Sequence, residues 1–201
     1  IVSSSKTAVI YKGLSRPDPK LFYLSIVSSP VYNSATISGS VPPASGKNTR
    51  VIFVSGSDYN YTTADPASGT YSLGASWRGT TDSSAGKIYI LRYTTNPSGL
   101  PIDYDAYGTK ALTVKNGLTH SGQNFAVSDL SNPSETTIAG TIEHSTDYIL
   151  SYRTLYFKFD GALIYFGQEY ITPLADNFSY IVPSLAGINF AVSINASKTS
   201  T

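Results

Sequence analysis

Apolar residues in this chain gather in short bursts rich in β-branched and aromatic side chains. None of the bursts repeats at the spacing of an amphipathic helix. Residues 7–11, 21–27, 37–41, 50–54, 70–73, 87–93, 109–114 and 124–127 read as strands. Toward the C-terminus, residues 152–159, 162–171, 178–182 and 187–194 read the same way. Turn signals fall about every 8–12 residues, the cadence of a β-sandwich. Asp65-Pro66-Ala67-Ser68-Gly69 is suited to reverse the chain, with Gly69 free to take positive φ. Asp160-Gly161, between two strand-like runs, predicts a two-residue hairpin loop with Gly161 at positive φ. Arg16-Pro17-Asp18-Pro19 separates the first two bursts, because neither a helix nor a central strand continues through it.

The bursts are related to one another. Thr36-Ile37-Ser38-Gly39 recurs as Thr137-Ile138-Ala139-Gly140. Ala64-Asp65 with Tyr71-Ser72 recurs as Ala175-Asp176 with Phe178-Ser179. Gly122-Gln123-Asn124-Phe125-Ala126-Val127-Ser128 recurs as Gly187-Ile188-Asn189-Phe190-Ala191-Val192-Ser193. Shared order and chemistry with unequal spacing mark a β module present twice. The expected fold is all-β, two tandem transthyretin-like or immunoglobulin-like β-sandwiches. An N-terminal extended segment covers 1–35, a first module 36–130 with an insertion at 74–118, and a minimal second module 136–201. The alignment sets Ile37 against Ile138 and Phe125 against Phe190, with both phenylalanines buried by the alternation Phe-Ala-Val.

Two features do not fit a pair of complete sandwiches. The strands of 1–35 belong to neither copy. The second copy has about five strands, whereas a sandwich of this kind usually has about seven.

The run Ile37-Ser38-Gly39-Ser40-Val41, then Val51-Ile52-Phe53-Val54, then Asp65-Pro66-Ala67-Ser68-Gly69-Thr70-Tyr71-Ser72-Leu73 resembles the carboxypeptidase regulatory-like domains. These are transthyretin-like β-sandwiches found as accessory modules in secreted and surface proteins. The family opens with a strand of the type I-x-G-x-V and carries an Asp-x-x-Gly-x-Tyr-x-Leu-like turn and strand. Residues 137–182 match more loosely, since no glycine follows Asp176 before Phe178, and 74–118 lies outside the pattern. The resemblance implies a fold and an extracellular setting, and brings no catalytic residues with it.

Composition narrows the function. Charged residues are 13% against 41% hydrophobic, and there are 16 tyrosines, so the surface relies on Ser, Thr, Asn and Tyr. A net charge of +1, without a Lys/Arg run, gives no steering field for nucleic acid or an anionic membrane. The absence of cysteine removes disulfides and thiolate chemistry. No apolar run approaches the roughly 18 residues of a membrane span. A first residue of Ile1 reads as a processed, secreted mature chain, with sequons at Asn60, Asn177 and Asn195.

Candidate chemistry is sparse. His120 and His144 lack the spacing of a metal pair. Asp58, Asp103 and Asp105 are conceivable oxygen ligands for Ca²⁺, without the Asp-x-Asp-x-Asp-Gly run of a calcium loop. Tyr59, Tyr61, Trp77, Tyr104 and Tyr107 would make a sugar-stacking platform if they shared an exposed face; otherwise they are strand and core aromatics. Lys158, Asn189 and Glu143 raise a Lys–Asn isopeptide bond, against the simpler reading of a structural asparagine. With no nucleophile elbow or phosphate loop, an enzyme is not expected, and no cofactor is implied.

These features converge on assembly. An unfinished sandwich is a template for strand addition. The expected donor set is Leu21, Phe22, Tyr23, Leu24, Ile26 and Val27, with Val9, Ile10 and Tyr11 as the shorter alternative. Donation between copies is head-to-tail and does not close, so it builds a fibre. The expected function is therefore a non-enzymatic subunit of an extracellular or cell-surface filament. The alternative is an adhesive or carbohydrate-binding accessory module of a secreted protein, with surface glycans as partners.

Overall fold

The computed structural model describes residues 7–10, 22–25, 31–142, 148–170, 177–185 and 188–198. In chain order the strands are β1 (Thr7–Ile10), β2 (Phe22–Ser25), β3 (Tyr32–Ser40), β4 (Asn48–Ser55), β5 (Asp58–Thr63), β6 (Thr70–Arg78), β7 (Ser83–Thr95) and β8 (Pro101–Lys115). They continue as β9 (Thr119–His120), β10 (Ser134–Thr141), β11 (Tyr148–Phe159), β12 (Ala162–Tyr170), β13 (Asn177–Ser184) and β14 (Ile188–Lys198). A 3-10 turn at Val127–Asp129 is the only helical element among the described residues. The protein is all-β.

Its sheets run β5-β4-β7-β8, β6-β3-β9, β12-β11-β14 and β10-β13, with β1-β2 as a separate pair. Strand alternation explains how they stack. Val51 and Phe53 of β4, with Ile88 and Ile90 of β7, point into a core shared with Ile37, Leu73, Trp77 and Phe125. The intervening Ile52, Val54, Tyr89, Leu91 and Tyr93 point the other way. They join Leu155, Phe157, Phe159, Ile164 and Phe166 from β11–β12, with Tyr180 and Val182 from β13. The sheet β5-β4-β7-β8 is thus a central layer, apolar on both faces, which is why 51–54 is an unbroken hydrophobic run. The first half closes one core by itself, while the second half completes its core only against the other face of this sheet. They share this sheet.

The two halves pair five strands each in the same order. β3 pairs with β6, and β4 lies between β5 and β7. β10 pairs with β13, and β11 lies between β12 and β14. The registers coincide as well: Gly39 stands opposite Tyr71 and Ile37 opposite Leu73, just as Gly140 stands opposite Phe178 and Ile138 opposite Tyr180. The first landmark and the Tyr71-Ser72/Phe178-Ser179 part of the second thus hold matching registers, while Ala175 and Asp176 lie outside the described residues.

The third landmark is not structurally equivalent. Residues 124–127, expected to close the first module as a strand, run irregularly into the 3-10 turn, whereas 188–193 lie in β14. The topological counterpart of β14 is β7. The insertion accordingly begins after β7, not at residue 74. Residues 58–61, absent from the expected strands, belong to β5. Phe125 is buried at 3% exposure, but Phe190, expected to be buried, is 45% exposed.

The two-residue hairpin at Asp160-Gly161 forms as expected. Phe159 pairs with Ala162 across it, and φ is 44° at Asp160 and 98° at Gly161. Positive φ at both central residues is the type I′ requirement. The other expected turn forms too. The Asp65 carboxylate accepts from the Ala67 and Ser68 amides at 3.0 and 2.7 Å, and Gly69 takes φ 73°.

Candidate assembly site

The first half covers the edges of its outer sheet. β6 faces β5 across the side of the stack, and β5 side chains do the work of a ladder. The Asn60 carboxamide oxygen accepts from the Ser76 amide at 2.7 Å, and the Asp58 carboxylate accepts from the Arg78 amide and side chain, both at 2.9 Å. On the other flank, residues 116–125 run along β3. β9 pairs with it in parallel, Thr36 against Thr119 and Ile37 against His120. Beyond a kink at Gly122, the Gln123 and Phe125 amides donate to the Ser38 and Ser40 carbonyls at 3.0 and 2.8 Å.

This covering segment is anchored by chemistry that the repeat explains. Gly39 lets it approach, since a Cβ there would sit 2.2 Å from the Gln123 carbonyl oxygen. The Tyr71 hydroxyl crosses above Gly39 and donates to that same oxygen at 2.5 Å. Burial pushes the Tyr71 phenol up to about 12. Phe125 then enters the core, with the Lys110 ammonium 4.6 Å from its ring centroid.

In the second half no described residue covers the equivalent edge in this way. By register, Thr137, Ala139 and Thr141 of β10 stand where Thr36, Ser38 and Ser40 stand in β3. Among the described residues no strand pairs with that edge of β10, which is largely exposed. Phe178 replaces Tyr71, so no hydroxyl is present to hold an arriving carbonyl; its own ring lies over Gly140. β14 is a second edge without a neighbour among the described residues. Phe190 of β14 is the Cα partner of Phe157 and so lies on the same face, yet Phe157 is buried and Phe190 is half-uncovered. Ile188 and Val192 flank it on that face, only partly buried.

Inside this half, Arg153 is buried between three strands. Its guanidinium lies 3.3 Å from Glu169 and donates to the Asn177 carbonyl at 2.7 Å, while its Nε has no partner. Tyr180, which donates to Glu169 at 3.3 Å, is pushed up to about 12 by burial.

The expected donor residues divide between described and undescribed positions. Val9 and Ile10 lie in β1, and Phe22, Tyr23 and Leu24 lie in β2. The two strands pair antiparallel with each other, Val9 opposite Tyr23 and Ile10 opposite Phe22. Tyr11, Leu21, Ile26 and Val27 lie outside the described residues. Sequence reasoning missed the acceptor side, because an unpaired edge carries no residue signature. Its one trace was the count of strands in the second copy.

The other candidate chemistry does not assemble. Trp77 and Tyr104 are core residues and Tyr107 is half-buried, so the aromatic platform is reduced to Tyr59 and Tyr61, 37% and 45% exposed on β5. Asp58 is paired with Arg78, while Asp105 is paired with Lys47 and Arg92 on a strand at the opposite edge of the sheet. Among the described residues no three His, Cys, Asp or Glu cluster as metal ligands. His120 Nε2 accepts from the Lys115 amide at 3.0 Å. His144 and Glu143 lie outside the described residues. Lys158 and Asn189 are cross-strand partners, but both are exposed, without the buried surroundings that would activate a lysine amine. Among the described residues no helix is long and apolar enough to cross a membrane.

No family model, curated protein or solved structure matches the chain.

Proposed function

We propose that this chain is a non-enzymatic structural subunit of an extracellular or cell-surface filament, joined head-to-tail by strand donation between copies. One observation carries the reading: the β3 edge is covered by residues 116–125, while among the described residues no strand covers the equivalent β10 edge and Phe190 on the apolar face of β14 is half-exposed. An edge of this kind offers unpaired amides and carbonyls beside apolar surface, the combination that strand addition uses. The described strands of the N-terminal segment, β1 and β2, pair with each other and with no other described strand. The likeness of residues 36–73 to carboxypeptidase regulatory-like domains accords with an extracellular setting.

The test is deletion of residues 1–27, followed by sedimentation and negative-stain microscopy. Loss of polymer with retained β structure is the expected result. A deletion variant that still polymerises, or an intact chain that stays monomeric at high concentration, overturns the proposal. The carbohydrate-binding alternative would then rest on Tyr59 and Tyr61, which border a shallow cavity with Asn60, Thr62 and Gly74.

A further inference from the structure

We infer that the acceptor is the edge of β10 that no described strand covers, and that the donated strand is residues 21–27 of a second copy, running parallel to β10 with Phe22, Leu24 and Ile26 turned toward the apolar face of β14. This rests on the strand-donation reading above and adds the edge, the direction and the side chains.

The direction comes from the protein's own first half. There the strand on the equivalent edge is parallel, with Thr36 against Thr119 and Ile37 against His120. It donates the Gln123 and Phe125 amides to the Ser38 and Ser40 carbonyls. Ala139 and Thr141 hold the matching positions in β10. The same template names the side chain required. Phe125 is the large apolar group that this covering strand buries, and the second half has an uncovered phenylalanine, Phe190, on the face left open.

Residues 21–27 read Leu-Phe-Tyr-Leu-Ser-Ile-Val, so a strand there sets Phe22, Leu24 and Ile26 on one face. The opposite face carries Leu21, Tyr23, Ser25 and Val27, with Tyr23 and Ser25 at its centre suited to solvent. Donation from the same chain is disfavoured by tether length. With 21–27 donated, only residues 28–31 link it to β3, a span of roughly 14 Å fully extended. β3 packs on one face of the central sheet, while Ile138 of β10 joins the core on the other face. The spacing of about 10 Å between the sheet of β3 and the central sheet consumes most of that tether before it turns any corner.

The chain has no cysteine, which makes disulfide trapping clean. Full-length single variants Tyr23→Cys and Ser25→Cys are each mixed with Thr137→Cys, Ala139→Cys or Thr141→Cys, then oxidised. A heterodisulfide identified by mass spectrometry joins two different molecules. The acceptor sites are exposed positions on β10, and circular dichroism checks that each variant keeps its β structure. The expected result is trapping on β10, with the donor partner moving from 23 to 25 as the acceptor moves from 137 towards 141. The reverse order overturns the parallel arrangement. Trapping at a Ser193→Cys control on β14 instead, or polymer without β10 disulfides, overturns the choice of edge and leaves the filament reading standing. Neither polymer nor disulfide overturns both.

Discussion

Phe125 and Phe190 sit in the same sequence echo, Asn-Phe-Ala-Val-Ser, and in opposite surroundings. Phe125 fills the core between β3 and β7, so Phe125→Ala should cost about 3–5 kcal/mol in denaturant unfolding. Phe190 is already half in water, so Phe190→Ala should cost the single molecule only about 1 kcal/mol. The same change should weaken assembly in sedimentation, because the uncovered ring is what a partner would bury. Equal losses of single-molecule stability for the two variants would refute the difference in packing.

The aspartates set the acid limit at this scale. Hydrogen bonds from the Ser68 amide and hydroxyl and the Ala67 amide hold Asp65 below the usual carboxylate range. The Arg78 amide, followed by its side chain, lowers Asp58 against a desolvation cost. A carboxylate depressed in the folded state contributes stability that is complete above its unfolded value, about 3.9, and is lost as pH falls toward the folded value. Thermal midpoints should therefore be flat near neutrality and drop below about pH 4. Asp65→Asn should start lower and show a shallower drop. An unchanged acid profile in that variant would remove Asp65 from the account.

Among the elements, paired glycines separate the covered β3 edge from the β10 edge, which no described strand covers. At Gly39 a Cβ would meet the backbone oxygen of Gln123, which cannot yield without expelling the strand along β3. At Gly140 it would meet only the tip of the Phe178 ring, 2.7 Å away, which can swing aside. Gly39→Ala should accordingly destabilise far more than Gly140→Ala, and should raise hydrogen exchange at the Gln123 and Phe125 amides. A larger effect at Gly140 would contradict the equivalence drawn here.

Much of this level was legible from residue pattern. The Asp160-Gly161 loop was readable because a type I′ turn makes a local backbone demand. The Ile37/Ile138 equivalence was readable because paired strands preserve spacing. β5 was hidden, since Asp58 and Asn60 serve as side-chain bridges to β6 and give the strand a loop-like composition. The false match of 122–128 with 187–193 arose because one apolar alternation serves equally well as a covering segment or as a ladder strand. The β10 edge was unreadable for a related reason: strand partners are a property of the fold, not of the residues that await them.

For the whole molecule, the shared layer couples the two halves. β4 and β7 supply one face to each core, so thermal unfolding should be a single transition, with calorimetric and van't Hoff enthalpies in agreement. A fragment of residues 134–201 lacks Ile52, Tyr89, Leu91 and Tyr93 and should show no cooperative melt. A folded fragment, or two resolved transitions in the intact chain, would mean that each half is self-sufficient.

The doubly buried layer also bears on how the protein is made. Translation delivers β4 and β7 long before β11 and β12, so the nascent chain presents Ile52, Val54, Tyr89, Leu91 and Tyr93 with nothing to cover them. Until the last third leaves the ribosome, or clears an export channel, that face is a sticky surface on an otherwise finished half. A chaperone that holds such surfaces should engage this chain during that interval and release it once the C-terminal strands arrive.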